Sequence, residues 1–529
     1  MTSRRVFLKQ NTLLAAGAWA VGSAPFVSTQ ARSAPVAPIA ETTYGKLRGR
    51  TENGVHVFCG VAYGADTSGK NRFMPPQKPA PWLGVRDALE WGHIAPQPLP
   101  ASNYDYLRAV LGAVQLSTKS EDCLTLNVWT PGLKDEAKRA VLFSVHGGGY
   151  TGGTSNQPVF DGANLARIHD LVVVTVNHRL GALGFMNLAE FDPDFALSGV
   201  VGLMDLVAAL EWVRENIANF GGDPGRVLII GQSGGGSKMC HLMAMPSAKG
   251  LFQRTGVESG AALRSGTREN AAKSTELLIA RLGLPKSRFR ELQQAPFELI
   301  VGAQAAAGAQ FGPFVDGAII PRDPFDPDAP MVSADVPLLA GSNLNDNNFS
   351  RTDFSIDDAA AQEQLKSSLG SEAAKIWGAY RQDDPTATAA QLLGRITSDR
   401  GIRANTRTIV ERKGALGRAP AFLYQLRWPT PFMDGQYGSV HGTDLPLIFH
   451  NTEAFPLTAG SPTSGRVADR MSAAFAAFAK SGDPGTPDLP WQAYNPALKP
   501  TMIFDVQSGV KNDPDHDLLA LLPPPGGRG

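Results

Sequence analysis

Val227-Leu228-Ile229-Ile230-Gly231-Gln232-Ser233-Gly234-Gly235 is the stretch whose reading decides the fold. Its apolar start, rich in β-branched residues, predicts a strand buried on both faces. A helical segment follows, so Gly-x-Ser-x-Gly falls on a strand-to-helix turn. Such a turn forces Ser233 into a strained backbone conformation. The flanking glycines let strand and helix approach without Cβ clashes. The serine hydroxyl then stands above the sheet at a helix N-terminus, where developing negative charge is favoured. That is where a nucleophile is needed. The motif alone is weak in a chain with 56 glycines among 529 residues, so its surroundings carry the reading.

Upstream, Ala140 to Val145 is apolar apart from Ser144 and runs into His146-Gly147-Gly148-Gly149-Tyr150. Bare glycine N–H groups can converge on one atom, as the oxyanion of acyl transfer requires. The expected donors are the N–H groups of Gly148, Gly149 and Gly234. Leu171 to Val176 is another buried strand, ending at Asn177-His178-Arg179. Leu203 to Ile217 has helical spacing and is stopped by Gly221-Gly222-Asp223-Pro224. Strand, crossover helix and strand predict a parallel α/β sheet. Leu124 to Trp129, Val336 to Ala340 and Ala421 to Gln425 read as further strands, and Leu47 to Val61 as short antiparallel ones. Ala261 to Gln310 reads as mostly helical, and Val467 to Lys480 as an amphipathic helix. Residues 38–529 show no repeat or linker and read as one domain with helical insertions that wall a pocket.

A serine nucleophile needs a base and an acid, in the chain order serine, acid, histidine. His241 lies about 12 Å along the same helix and cannot turn back. His516 sits in a charged tail segment, and His450 caps an apolar stretch. His441 lies in the Gly-rich loop Gly438-Ser439-Val440-His441-Gly442 after a strand, and is the expected base. Asp346, after the strand ending at Ala340, is the expected acid; Asp316 in Val315-Asp316-Gly317 is the alternative. The rate should rise with pH as the imidazole loses its proton.

Lys+Arg and Asp+Glu are both 49, which leaves no basic footprint for nucleic acid. Cys59, Cys123 and Cys240 form no CxxC pair and no metal cluster with histidine, which argues against a disulfide scaffold or a zinc module. No cofactor is expected. Residues 1–34 read as a cleavable export signal, with Arg4-Arg5 followed by Phe7-Leu8-Lys9 resembling a twin-arginine leader. The expected location is periplasmic or secreted, with no membrane attachment after cleavage. No later run approaches the roughly 18 apolar residues needed to span a bilayer. A monomer or small homo-oligomer is expected.

Several long motifs, in order, resemble the type B carboxylesterases, which include cholinesterases and bacterial para-nitrobenzyl esterases. They are Glu121 to Trp129, His146 to Tyr150, Val176 to Gly181, Asn219 to Pro224 with the serine turn, His441-Gly442 to Pro446, and Phe478 to Pro484. The resemblance implies an α/β-hydrolase fold with a large, mostly parallel sheet between helices. It also implies hydrolysis of a small-molecule carboxylic ester through an acyl-enzyme, and it places Ser233, Asp346 and His441 on the matching motif positions. An amide, lactone or thioester hydrolase is an alternative, as is a non-catalytic binding protein of the same family. Four departures stand out. Asn345-Asp346-Asn347 replaces the family's Asp-Glu-Gly, so either the shorter acid sits closer to His441 or the acid lies elsewhere. Gln232 replaces a glutamate, removing a charge that would favour cationic alcohols. Gly234 replaces an alanine. Cys123 matches one half of a family disulfide, but no Cys stands near Ala95, so free thiols are expected, with Cys59 as the alternative partner.

Overall fold

The computed structural model describes residues 37–98, 105–106 and 118–523. The segment expected to be an export leader and the end of the tail lie outside them. The described strands, in chain order, begin with β1 (Ile39–Glu41), β2 (Lys46–Arg48), β3 (Arg50–Glu52), β4 (Val55–Ala62) and β5 (Val85–Asp87). They continue with β6 (Thr125–Thr130), β7 (Arg139–Val145), β8 (Val172–Val176), β9 (Gly222–Gln232) and β10 (Arg254–Glu258). The last four are β11 (Leu338–Asn343), β12 (Ala421–Leu426), β13 (Pro500–Phe504) and β14 (Gly509–Asn512). Eleven form one sheet in the order β14-β13-β12-β11-β10-β9-β7-β8-β6-β4-β3, and β1, β2 and β5 form a small second one.

From β8 to β13 every pairing in the large sheet is parallel. The N-terminal strands β3, β4 and β6 add antiparallel pairings at one edge, and β14 does so at the other. The parallel runs read as continuously apolar because both faces are buried. In β7, Val141, Phe143 and Val145 enter one core, while Ala140 and Leu142 enter the other. In β9, Val227 and Ile229 divide from Leu228 and Ile230 in the same way.

Helix α1 (Val201–Asn216) covers one face through Leu203, Leu206, Leu210 and Val213. Helix α2 (Gly234–Ala244) follows β9, and helix α3 (Ser464–Ser481) covers the opposite face through Val467, Met471, Phe475 and Phe478. Gly482, at φ 83°, ends α3 in the left-handed conformation that glycine tolerates.

Two expectations are corrected. β9 begins at Gly222 rather than Val227, because Gly222 pairs with Arg139 across the sheet. The helical run Pro193–Phe220 is apolar and long enough to cross a bilayer, with a mean hydropathy of 1.7. However, 72% of its apolar window is buried inside the protein, as in a core helix.

β7 is flanked by β8 on one side and β9 on the other, so the chain reverses its direction across the sheet here. The crevice beyond the carboxyl ends of the strands at such a switch is where open α/β sheets bind ligands. Val145 pairs with both Val176 and Gly231, and Glu258 pairs with both Gln232 and Gly341. These registers bring the strand ends level, and every candidate residue leaves the sheet on that one side.

Candidate active site

Ser233 sits between β9 and α2 at φ 57°, ψ −124°. A non-glycine residue there is strained by about 1–3 kcal/mol, which the surroundings must impose. They do so from several sides. The Ser233 N–H donates to the Glu258 carbonyl at 2.8 Å, and its carbonyl accepts the first helical hydrogen bond, from Ser237, at 3.1 Å. A Cβ on Gly235 would lie 2.2 Å from the Val145 carbonyl, so the helix start can approach β7 only because Gly235 has none.

The glycine loop after β7 folds over the same turn. Gly148 and Gly149 have φ of 87° and 62°. A Cβ on Gly234 would lie 2.3 Å from the Gly149 carbonyl oxygen and 2.5 Å from its nitrogen. Gly149 and Gly234 thus lie in contact, with Gly148 next in the chain, and glycine at 234 is what permits the approach.

His441 and Asp346 meet although far apart in sequence. His441 Nδ1 lies 2.6 Å from Asp346 Oδ1. A carboxylate only accepts, so Nδ1 carries the proton and Nε2 presents a lone pair. Asp346 is fully buried, and its Oδ2 accepts from the Ser259 hydroxyl and the Asn343 N–H, both at 2.8 Å. Asp346, although one methylene shorter than a glutamate, therefore reaches the His441 ring. Asp316 instead closes its own turn, accepting from the N–H groups of Ala318, Ile319 and Ile320. His450 pairs with Asp469 and His516 with Asp513, while His241 is tied to the Ser237 carbonyl of its own helix.

Several residues that build the site carry no motif of their own. Asn343 Nδ2 donates to the Val440 carbonyl at 2.7 Å, and Asn348 Nδ2 to that of Tyr437 at 3.1 Å. The Asn345 amide oxygen accepts from the Ser439 N–H at 3.0 Å. The Asn-rich stretch after β11 thus staples the His441 loop rather than forming an isolated polar turn. The Tyr106 hydroxyl donates to the His441 carbonyl at 2.8 Å, and the Phe349 ring packs 5.0 Å from the imidazole. The only available signal was the density of Asn between residues 343 and 348.

Below the site lie two buried acids. Neither oxygen of the Glu258 carboxyl has a hydrogen-bond partner, and Asp444 has one, the Tyr424 hydroxyl at 3.0 Å. Burial, then the charge of Asp444, holds Glu258 well above the usual carboxylate range. Burial, then the charge of Asp346, raises Asp444 to about 6. His146 falls to about 3 through burial and the nearby charge of Lys238, so its imidazole is neutral.

Beside Tyr150 is a cavity of about 330 Å³. Its walls include Ala262, Phe311 and Phe314, with Ser237, His241, Arg264 and Asn270 among the polar residues. The three cysteines are all free and buried. Among the described residues no group of His, Cys, Asp and Glu could hold a metal ion.

A parallel sheet that presents a strained serine, a glycine loop and a carboxylate-bound histidine on one crevice defines an α/β-hydrolase. The carboxylesterase family model matches residues 36–519. The Bacillus subtilis para-nitrobenzyl esterase is 33% identical over 504 residues, covering 92% of this chain and 98% of that one. A phenmedipham hydrolase of Pseudarthrobacter oxydans is 32% identical, covering 92% and 99%. Among solved structures, a Geobacillus stearothermophilus carboxylesterase at pH 6.2 superposes with a TM-score of 0.79 at 32% identity, covering 91% and 99%. The chain belongs to the carboxylesterase family, and it is a serine hydrolase of carboxylic esters.

Proposed function

We propose that Ser233 is the nucleophile, His441 the general base and Asp346 the acid that orients it. In this reading the N–H groups of Gly148, Gly149 and Gly234 hold the oxyanion. His441 Nε2 takes the hydroxyl proton as Ser233 Oγ attacks the ester carbonyl. The tetrahedral intermediate collapses, and His441 returns the proton to the departing alcohol. Water, deprotonated by the same imidazole, then releases the acid and restores Ser233. The observation that carries this reading is the 2.6 Å contact of Asp346 with His441 Nδ1, which leaves Nε2 free to accept.

The substrate is a small uncharged ester with an apolar acyl or aryl group. Gln232 adds no negative charge beside the serine, and Phe311, Phe314 and Ala262 give the neighbouring cavity apolar walls. The name of the para-nitrobenzyl esterase relative points the same way. Activity on p-nitrophenyl acetate, butyrate and octanoate, lost by roughly a thousandfold or more in Ser233→Ala, is the expected result. A folded wild type inert on all three esters would overturn it.

The enzyme works after export, as a monomer or small homo-oligomer free of the membrane. The support is Arg4-Arg5 and the apolar run behind them. Replacing both arginines by lysine should keep the activity in the cytoplasmic fraction of a bacterial host; unchanged export would contradict this.

A further inference from the structure

Lys238 is fully buried, one turn beyond the nucleophile on α2. A buried ammonium normally has a carboxylate partner, because an unpaired ion in the interior is costly. Among the described residues no carboxylate pairs with this one. Its Nζ donates instead to the His146 carbonyl at 3.2 Å, and it stands 5.7 Å from the Tyr150 ring centre. His146 and Tyr150 bracket Gly147 to Gly149, and two of these, Gly148 and Gly149, are donors in the proposed hole.

Beside Lys238, the loops after β7 and β8 carry His146, Tyr150 and His178, all neutral, and the Arg179 guanidinium next to His178 is already paired with Asp205. His146 and His178 stack with ring centres 5.0 Å apart. Each donates its Nδ1 proton to a backbone carbonyl, Gly147 for one and Arg179 for the other. Burial, then the charge of Lys238, pulls both below the ordinary histidine range. Burial likewise pushes the Tyr150 phenol up, so it stays protonated. The cation is therefore unneutralised beside the loop, in a dry setting where electrostatic interactions are strong.

We infer that Lys238 is a positioning residue for the oxyanion loop: its ammonium fixes the His146 carbonyl and lends positive charge to the Gly148–Gly149 hole. The inference rests on the oxyanion assignment proposed above. It explains why a costly charge is kept where a methionine would fit a helix facing the core. Negative charge appears only as the tetrahedral intermediate forms, so Lys238 should act on kcat and leave ester binding alone.

The sign of its pH effect is fixed. Burial lowers Lys238 to about 7. Deprotonation removes the charge, so activity falls as pH rises through that region. Stability moves the other way, because between the folded value and the ordinary lysine value the unfolded chain binds the extra proton.

The experiment compares wild type with Lys238→Met on p-nitrophenyl butyrate, background-corrected from pH 5.5 to 9.5, alongside thermal melts. The expected result for Lys238→Met is a kcat lower by roughly 10- to 100-fold, comparable to a partly displaced oxyanion donor. KM should stay within about twofold, the melting temperature should be no lower than wild type, and the alkaline fall in kcat/KM should disappear. Unchanged kcat, a loss shared with KM, or a loss matched by a lower melting temperature would overturn the inference. If the variant does not fold, the wild-type profile decides: a fall on the alkaline side supports it, and a flat profile to pH 9.5 overturns it. Ser233→Ala is assayed in parallel. An active Ser233→Ala sinks the underlying site assignment, whereas an inactive one beside a fully active Lys238→Met sinks only the role of Lys238.

Discussion

At the scale of single residues, the site depends on atoms that are absent as much as on those present. Gly234→Ala would push a methyl group into the Gly149 backbone, and neither partner is a flexible side chain that can step aside. The expected outcome is a kcat lower by about tenfold or more, with modest destabilisation of about 1–3 kcal/mol, read by steady-state kinetics and denaturant melts. Wild-type kcat in this variant would mean that the two glycines do not form one hole. Glu258 gives a prediction of a different kind. Its folded form holds a proton that the unfolded chain releases above the ordinary glutamate value, so this residue's contribution to stability is lost as pH rises. Glu258→Gln removes that dependence. The variant should gain on wild type between pH 5 and pH 8 in thermal melts, and a constant difference would contradict the assignment. Ser233, the glycine loop and His441 were legible because each is announced by its immediate neighbours. Ser259, Asn343 and Asn348 were not, since their contacts arise only where separate strand ends meet.

At the scale of elements, the parallel core was legible because burial on both faces leaves a nearly continuous apolar run, as in β7, β8 and the second half of β9. The start of β9 was not, because Gly222-Asp223-Pro224 has no strand-like composition and is extended by its pairing with Arg139. Pro193–Phe220 shows the complementary limit: hydropathy alone cannot separate a core helix from a spanning one, and tertiary burial decides. Helix α3 was legible from its period, with Val467, Met471, Phe475 and Phe478 on one buried face. Phe475 is fully buried on that face, its ring edge-on to that of Tyr424 with ring centres 6.0 Å apart. Phe475→Ala should cost about 3–5 kcal/mol in denaturant unfolding. Because Tyr424 in turn holds Asp444, near His441, kcat should fall as well.

At the scale of the whole molecule, the sheet turns residues far apart in sequence into one crevice, since the loops after β7, β9, β10, β11 and β12 all emerge on the same side. No covalent link assists among the described residues. The three thiols are free, so a reducing agent should leave the melting temperature unchanged; a drop would reveal a disulfide that this account lacks. The central claim is that Ser233 is activated by a His441 that Asp346 orients. Labelling the folded enzyme with a fluorophosphonate and mapping the adduct by peptide mass tests it most directly. The account predicts one modified residue, Ser233, with labelling abolished in Ser233→Ala and strongly slowed in Asp346→Asn. An adduct on another serine, or undiminished labelling of Ser233→Ala, would contradict it.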